Sequence, residues 1–168
     1  MDLKVFFYLC EKILTLKLIC YIITITDKQH VYLKGSFHVY IQLDFESNDP
    51  IYTQLKEQII AGIAKKELNP GDALPSVRAM AKDIGINLHT VNKAYQQLKQ
   101  EGYILIHRQK GVVIHPDGVK PADDAYRAGL KKTLYPLIAE SVCKSISKDE
   151  FAAYVSDVFA EFEKGGDE

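Results

Sequence analysis

The sequence predicts a mainly α-helical fold with one small β-hairpin. Apolar residues recur at helical spacing in successive segments between residues 50 and 100, and glycine or proline separates these segments. Two short runs of strand-forming residues follow, and then two further amphipathic segments. We therefore expect a domain of helices with a hairpin, followed by a two-helix tail.

The first helix is predicted to begin after residue 49. Asp49 is suited to cap a helix, and Pro50 is tolerated in a first helical turn. The run Asn-Pro-Gly-Asp at residues 69–72 ends the pattern. The apolar positions recur every four residues and are Ile51, Leu55, Ile59 and Ile63.

A helix-turn-helix is predicted next. Ser76 is a good N-cap for a helix over residues 77–84, and another helix follows from about residue 87 to residue 100. The turn has a small residue where the helices approach, a glycine able to adopt positive φ, and an apolar plug between the helices. These three residues are Ala81, Gly85 and Val91.

Residues 103–107 and 112–115 are rich in strand formers, and the loop Arg-Gln-Lys-Gly at residues 108–111 separates them. This pattern predicts a β-hairpin. Helices followed by such a hairpin form a winged helix, so the middle of the chain is predicted to be a winged helix-turn-helix.

The second helix of the motif carries polar residues that packing does not require. Its apolar positions are Val91, Ala94, Tyr95 and Leu98, and the polar ones are Asn87, His89, Thr90, Asn92, Lys93 and Gln96. The N-terminal residues of such a helix reach base edges in the major groove. The alternative is an ordinary solvated face. The surrounding motif and the basic hairpin tip favour DNA contact.

Charge and cysteine usage agree with this interpretation. The chain has 168 residues and a net charge of −1, but residues 50–115 hold nine Lys/Arg against five Asp/Glu, and residues 116–168 hold seven against eleven. A basic middle beside an acidic tail is typical of DNA-binding proteins. Three scattered cysteines indicate a reducing compartment, so we expect a cytoplasmic protein without disulfide bonds.

The strings "PGDALPSVR", "TVNKAY" and "LKQEG", with the hairpin "RQKGVVI", resemble the GntR family of bacterial transcription regulators. The resemblance covers about residues 49–116. It implies a winged-helix DNA-binding domain that acts as a homodimer on a palindromic operator. One departure concerns base preference: near relatives often read Asn-Pro-Asn-Thr-Val where this chain has Asn-Leu-His-Thr-Val at residues 87–91.

The resemblance also implies residue roles. Arg78 matches an arginine that contacts DNA from the start of the second helix, and Lys93 occupies a position that is commonly arginine. Lys110 and Gly111 match the wing tip, which approaches the minor groove. The full predicted interface comprises Ser76, Arg78, Asn87, Leu88, His89, Thr90, Asn92, Lys93, Arg108, Gln109, Lys110 and Gly111.

The tail is predicted to form two helices, over residues 122–142 and 148–164, with Ser147 as a cap and a kink at Pro136. Each of these helices has an apolar stripe along one face. Two such helices cannot bury both stripes without a further partner, so we expect a homodimer. The short tail looks like that of the YtrA-type branch, whose members often repress operons for ABC transporters. The predicted dimerisation residues are Leu130, Leu134, Leu137, Ile138, Phe151, Tyr154, Val155, Val158 and Phe159, and Val142 and Phe162 extend the stripes.

Other function classes have less support. No P-loop, nucleophile elbow or dinucleotide fingerprint occurs, so we expect no enzyme, no catalytic residues and no cofactor. His107 and His115 lie on facing strands, where buried or solvated histidines are commoner than metal ligands, so no metal site is expected. The alternative function is a winged-helix module that binds protein or RNA rather than an operator.

The apolar segment before residue 39 differs from the rest. Glu11, Lys12 and Lys17 interrupt it, which argues against a membrane span. Residues 34–36 can be encoded by a purine-rich sequence like a ribosome-binding site, and Val39 by the start codon GTG. We therefore expect residues 1–38 to be translated upstream DNA; the rival is a membrane-associated or partner-binding extension. The predicted organisation is an atypical apolar segment at residues 1–38, a winged helix-turn-helix domain at 39–118, and a dimerisation tail at 119–168.

Overall fold

A computed structural model describes residues 30–32 and 40–163 of the chain. This part is mainly helical with small antiparallel sheets, which confirms the predicted fold class. In chain order the elements are β1 (His30–Tyr32), β2 (Tyr40–Gln42), α1 (Ile51–Ala64), β3 (Ala73–Leu74), α2 (Val77–Ile84), α3 (Leu88–Gln100), β4 (Ile104–His107), β5 (Gly111–Ile114), α4 (Asp124–Cys143) and α5 (Lys148–Glu163).

Helix α3 is the centre of the winged-helix domain. It packs against α1, α2 and β4, and one of its faces is fully buried. Burying a large aliphatic side chain contributes roughly 1.5–3 kcal/mol, so this face is a major source of the domain's stability. The buried α3 residues are Val91, Ala94, Tyr95 and Leu98, and they share one cluster with Leu55 and Ile59 of α1 and with Met80, Ala81 and Ile84 of α2.

The turn between α2 and α3 forms as the sequence predicts. The Ser76 hydroxyl oxygen accepts a hydrogen bond from the Ala79 amide at 3.2 Å and caps α2. Gly85 ends the helix with φ of +75°, a left-handed conformation that favours glycine. The amides of Gly85 and Ile86 both donate to the Ala81 carbonyl at 3.0 Å, which closes the helix end.

The wing is a three-stranded antiparallel sheet in the order β3-β5-β4. The hairpin was predicted, but β3 was not, since a two-residue strand has no periodic signal. The strands also differ from the predicted bounds by one residue: Gly111 belongs to β5 and pairs with His107, rather than ending the loop. His115 follows β5, and its amide donates to the Tyr103 carbonyl at 2.9 Å.

The segment before α1 adds an unpredicted layer to the core. β1 and β2 pair in antiparallel fashion, with Val31 opposite Ile41. Ile41 and Leu43 are each 1% exposed and belong to the core cluster, whereas Gln42 between them is exposed. This alternation is typical of a half-buried strand. The other residues of the segment 1–39 lie outside the described part, so the predicted boundary after residue 38 stays a prediction.

The entry to α1 corrects the prediction that Asp49 caps this helix. Pro50 is the N-cap residue and contributes no side-chain hydrogen bond, because its ring has no acceptor. The Gln54 side chain organises the entry instead. Its amide group donates to the carbonyls of Asp44 and Asp49, and its Oε1 accepts from the Asp44 amide, each at 2.8 Å.

The tail forms two capped helices close to the predicted bounds. Helix α4 begins two residues later than predicted, because the Asp123 carboxylate accepts from the Tyr126 amide at 2.7 Å. The helix continues through Pro136. Ser147 caps α5 as predicted, by accepting from the Glu150 amide at 3.2 Å. Lys164, the predicted last residue of this helix, lies outside the described residues.

The tail helices are not part of the core. Neither α4 nor α5 contributes a buried residue in the described part of the chain. Among the residues that the structure describes, no helix is long and apolar enough to span a membrane.

The hydrogen bond of the Tyr95 hydroxyl generates a prediction about how α3 is held in the core. It donates to the Pro75 carbonyl at 3.0 Å, and burial raises the pKa of Tyr95 well above its usual value. We predict that Tyr95→Phe lowers the free energy of unfolding by about 1 kcal/mol, because the Pro75 carbonyl loses its donor. Urea denaturation measures this loss. Tyr126→Phe, at a 59% exposed site, is the control and should change little; equal stability of Tyr95→Phe and wild type would contradict the prediction.

Candidate nucleic-acid interface

The predicted DNA-contacting residues form three groups in the structure. One is the start of α2, the second is the start of α3, and the third is the turn between β4 and β5. Helix α2 and the short turn at residues 85–87 connect the first group to the second, and α3 and β4 connect the second to the third. All of these residues are exposed except Thr90, which is half-buried.

At the start of α2, Ser76 and Arg78 have different roles in the fold. The Ser76 oxygen caps the helix, although its hydroxyl hydrogen is still available to a partner. Arg78 lies in the first turn and is exposed. A cation beside the backbone amides of a helix N-terminus is an arrangement suited to phosphate oxygens.

At the start of α3, Asn87 caps the helix. Its Oδ1 accepts from the His89 amide at 2.8 Å, and its carbonyl accepts from the Thr90 amide at 3.0 Å. Bidentate recognition of adenine by asparagine uses both the oxygen and the nitrogen of the side chain. Because the oxygen of Asn87 is engaged in capping, this residue is less suited to base recognition than the sequence suggested.

Leu88, His89 and Asn92 are exposed at the N-terminal end of α3, and no described hydrogen bond engages the polar side chains of His89 and Asn92. His89 lies opposite the buried stripe, and Leu88 and Asn92 lie together on one flank of the exposed arc, since residues four apart share a face. Leu88 is 41% exposed although it is apolar. An exposed apolar side chain beside an amide is a combination that can contact a thymine methyl group and an adjacent adenine.

Lys93 lies on the other flank of the arc and contacts helix α1. Its ammonium nitrogen is 3.6 Å from the centroid of the Tyr52 ring, well within the range of a cation–π interaction. The pKa of Tyr52 is lowered, first by the Thr53 side chain and then by the Lys93 ammonium. The sequence predicts Lys93 in the interface but not its contact with Tyr52, because the period of α1 does not indicate a contact with another helix.

The wing presents a basic turn. Arg108, Gln109 and Lys110 are exposed between the two strands, and Gly111 has φ of +74°. Within the described residues, the ion pairs are Lys56 with Glu101 and Lys144 with Glu140. Neither pair involves the cations of the three groups, so their charges are available to an anionic partner.

His107 lies at the end of β4, and His115 directly follows β5. Residues 30–32 and 40–163 contain no group of three or more His, Cys, Asp or Glu side chains that could hold a metal ion. The Nδ1 atom of His115 is buried without a hydrogen-bond partner among these residues.

The tail exposes the apolar side chains that were predicted to dimerise. Seven of them are between 41% and 65% exposed: Leu130, Leu137, Ile138, Tyr154, Val155, Val158 and Phe159. Leu134 and Phe151 are half-buried. Exposed apolar side chains grouped along one face of a helix commonly mark an interaction site.

Comparison with known proteins gives concordant matches. Residues 51–114 match the family described as bacterial regulatory proteins, gntR family. The chain is 32% identical over 126 residues to the HTH-type transcriptional repressor YtrA of Bacillus subtilis (strain 168), which covers 75% of this chain and 96% of that repressor.

Two solved structures are also similar. One is YtrA from Sulfolobus acidocaldarius, described as a GntR-family transcription factor, with a TM-score of 0.50 and 41% identity over 59% of this chain and 97% of that chain. The other is a transcriptional antiterminator from Listeria monocytogenes EGD-e, with a TM-score of 0.68 and 26% identity over 72% of this chain and 90% of that chain.

The cap at Asn87 generates a prediction about stability. Asn87→Ala should lower the free energy of unfolding by about 1 kcal/mol, because the His89 amide loses its acceptor. Asn87→Asp keeps an acceptor oxygen next to the helix N-terminus and should retain wild-type stability at neutral pH. Chemical denaturation of both variants measures the difference. Equal losses in the two variants would argue against the capping role.

Proposed function

Because this chain belongs to the GntR family of bacterial regulatory proteins, and is therefore a transcriptional regulator rather than an enzyme, we propose that it represses transcription by binding a palindromic DNA operator as a homodimer. The observation that supports this most is the asymmetry of α3. One face of the helix is fully buried, while its N-terminal turns expose polar side chains, and the exposed cation Arg78 lies in the first turn of the preceding helix.

In the proposed complex, α3 enters the major groove with its N-terminal end. Arg78 and the backbone amides at the start of α2 contact phosphates, and the wing turn around Lys110 lies along the adjacent minor groove. Phosphate contacts of this kind position the protein, and side chains of α3 contact the base edges. Affinity should fall steeply as salt concentration rises, with a slope of about −0.9 per neutralised phosphate.

The proposed dimer forms through the tail. The exposed apolar stripes of α4 and α5 would be stabilised by burial against another apolar surface. A second copy of the chain supplies a matching surface. Two α3 helices related by a two-fold axis would contact half-sites about 10 base pairs apart, which is one turn of DNA.

The regulated genes are proposed from the family resemblance. The alignment with the YtrA repressor covers 75% of this chain and 96% of that protein. We propose that this cytoplasmic regulator controls its own operon and an ABC transporter encoded there.

The test is a gel-shift titration of the full chain against the DNA immediately upstream of its own gene, at two salt concentrations. Tight binding that resists nonspecific competitor and weakens with salt supports the proposal. Since one similar structure is described as an antiterminator, RNA of the same sequence is the informative competitor. Preferential binding to that RNA, or no binding to nucleic acid at low salt, would favour the alternative of an RNA-binding or protein-interaction module.

Arg78 provides a test of the phosphate contacts. Arg78→Ala should weaken operator binding about 5- to 30-fold without a change in stability, because an exposed cation at the interface is lost. Lys82→Ala removes the same charge from the last turn of the same helix and is the matched control, with an expected effect below about threefold. Equal operator affinities of Arg78→Ala and Lys82→Ala would contradict the assignment.

The tail provides a test of dimerisation. Val158→Glu places a charge in the apolar stripe of α5, so the dimer dissociation constant should rise at least about tenfold. Ala153→Glu adds the same charge to the opposite, exposed face of that helix and should leave dimerisation unchanged. Sedimentation equilibrium measures both variants. A monomeric wild-type chain at micromolar concentration, or a Val158→Glu variant as dimeric as wild type, would overturn the proposed interface.

A further inference from the structure

We propose that Tyr52 of α1 is a positioning residue of the DNA interface, which holds Lys93 as a phosphate contact and leaves base recognition to Leu88, His89 and Asn92. The inference rests on the proposed function and deepens it. Its starting point is the ammonium group of Lys93, which lies 3.6 Å from the centroid of the Tyr52 ring.

The contact joins two separate helices at a defined place. Tyr52 is the second residue of α1, is half-buried, and packs against the core cluster, so its ring has a fixed position. Lys93 is exposed and belongs to α3. A free lysine side chain samples many rotamers, and restricting it costs conformational entropy. A ring that already holds the ammonium in the unbound protein removes part of that cost before DNA arrives.

The position of Lys93 on the helix determines which part of DNA it can meet. The exposed arc of α3 runs from Leu88 on one flank, through Asn92 and His89, to Lys93 on the flank nearest α1. A side chain drawn sideways onto α1 points away from the centre of the arc, where base edges would lie. A lysine at the margin of a helix in the major groove meets the sugar-phosphate backbone.

Electrostatics keep this arrangement compatible with a phosphate ligand. The electron-rich face of a tyrosine ring attracts a cation without neutralising its charge. The ammonium group still has three donors and a full positive charge, because within the described residues no carboxylate pairs with Lys93. The pair therefore presents a pre-oriented cation, and the residues left for base recognition are an exposed leucine, a histidine and an asparagine.

The experiment uses the full-length chain and a DNA duplex that the wild-type protein enriches from a random-sequence pool. Dissociation constants are measured at several salt concentrations for wild type, Tyr52→Phe, Tyr52→Leu, Lys93→Met and the double variant Tyr52→Leu/Lys93→Met. Lys93→Met should reduce the magnitude of the salt slope by about 0.9, the value for one lost phosphate contact, and should enrich the same sequence as wild type.

Tyr52 should act only through Lys93. Tyr52→Phe keeps the ring, so its affinity should lie within twofold of wild type. Tyr52→Leu removes the ring and should weaken binding about threefold. The double variant should bind no more weakly than Lys93→Met alone, because the leucine substitution has no further effect once the ammonium is gone. Tyr52→Leu is also compared with wild type by thermal unfolding, and binding is measured well below its melting temperature.

Each result is decisive. Additive losses in the double variant would overturn the positioning role, since a merely structural contribution of Tyr52 would persist without Lys93. A changed consensus sequence for Lys93→Met would show that Lys93 recognises a base and would also overturn the inference. If the wild-type chain enriches no duplex, the proposed function fails and this inference fails with it. If wild type binds its duplex and the double variant shows additivity, only the inference is lost.

Discussion

The burial of one face of α3 is the constraint on which the rest of the structure depends. Val91, Ala94, Tyr95 and Leu98 are inaccessible to solvent, and α1, α2 and β4 are arranged around them. The Tyr95 hydroxyl extends this anchoring beyond apolar packing, because its bond to the Pro75 carbonyl joins α3 to the segment that begins α2. A helix held so firmly on one side presents its opposite side in a single orientation, and recognition of a rigid partner such as duplex DNA requires that pre-organisation.

The polar residues at the helix starts divide into those that serve the fold and those that remain free for a partner. Ser76 and Asn87 cap α2 and α3 and thereby determine where each helix begins. Arg78, His89 and Asn92 have no such structural role in the described contacts. Lys93 belongs to both classes, since it contacts the Tyr52 ring and retains its charge. Capping thus engages the side-chain oxygen of Asn87, and in the proposed complex base recognition would fall to the exposed residues that follow it in α3.

The tail helices are stabilised differently from the helices of the winged-helix domain. Its two helices have good caps at Asp123 and Ser147, but neither buries a residue in the described structure. Most of the stability of helices in proteins comes from packing of an amphipathic face, so the tail helices need tertiary or quaternary packing. In the proposed dimer that packing would come from the second subunit, and the tail would then set the separation of the two recognition helices. Dimerisation and operator spacing would be properties of one element.

The sequence by itself determined the local features: the span of α2, the caps at Ser76 and Ser147, the left-handed turn at Gly85, the buried stripe of α3 and the hairpin. Each of these depends on residues within a few positions of one another, so periodicity and capping rules suffice. Only the tertiary structure decided the strand β3, the packing of Ile41 and Leu43, the role of Gln54 in place of Asp49, and the contact between Tyr52 and Lys93. With the exception of Gln54, these features join residues that are far apart in the chain. Such contacts exist only because burial of α3 brings the other elements together, and no local pattern records which partners then meet.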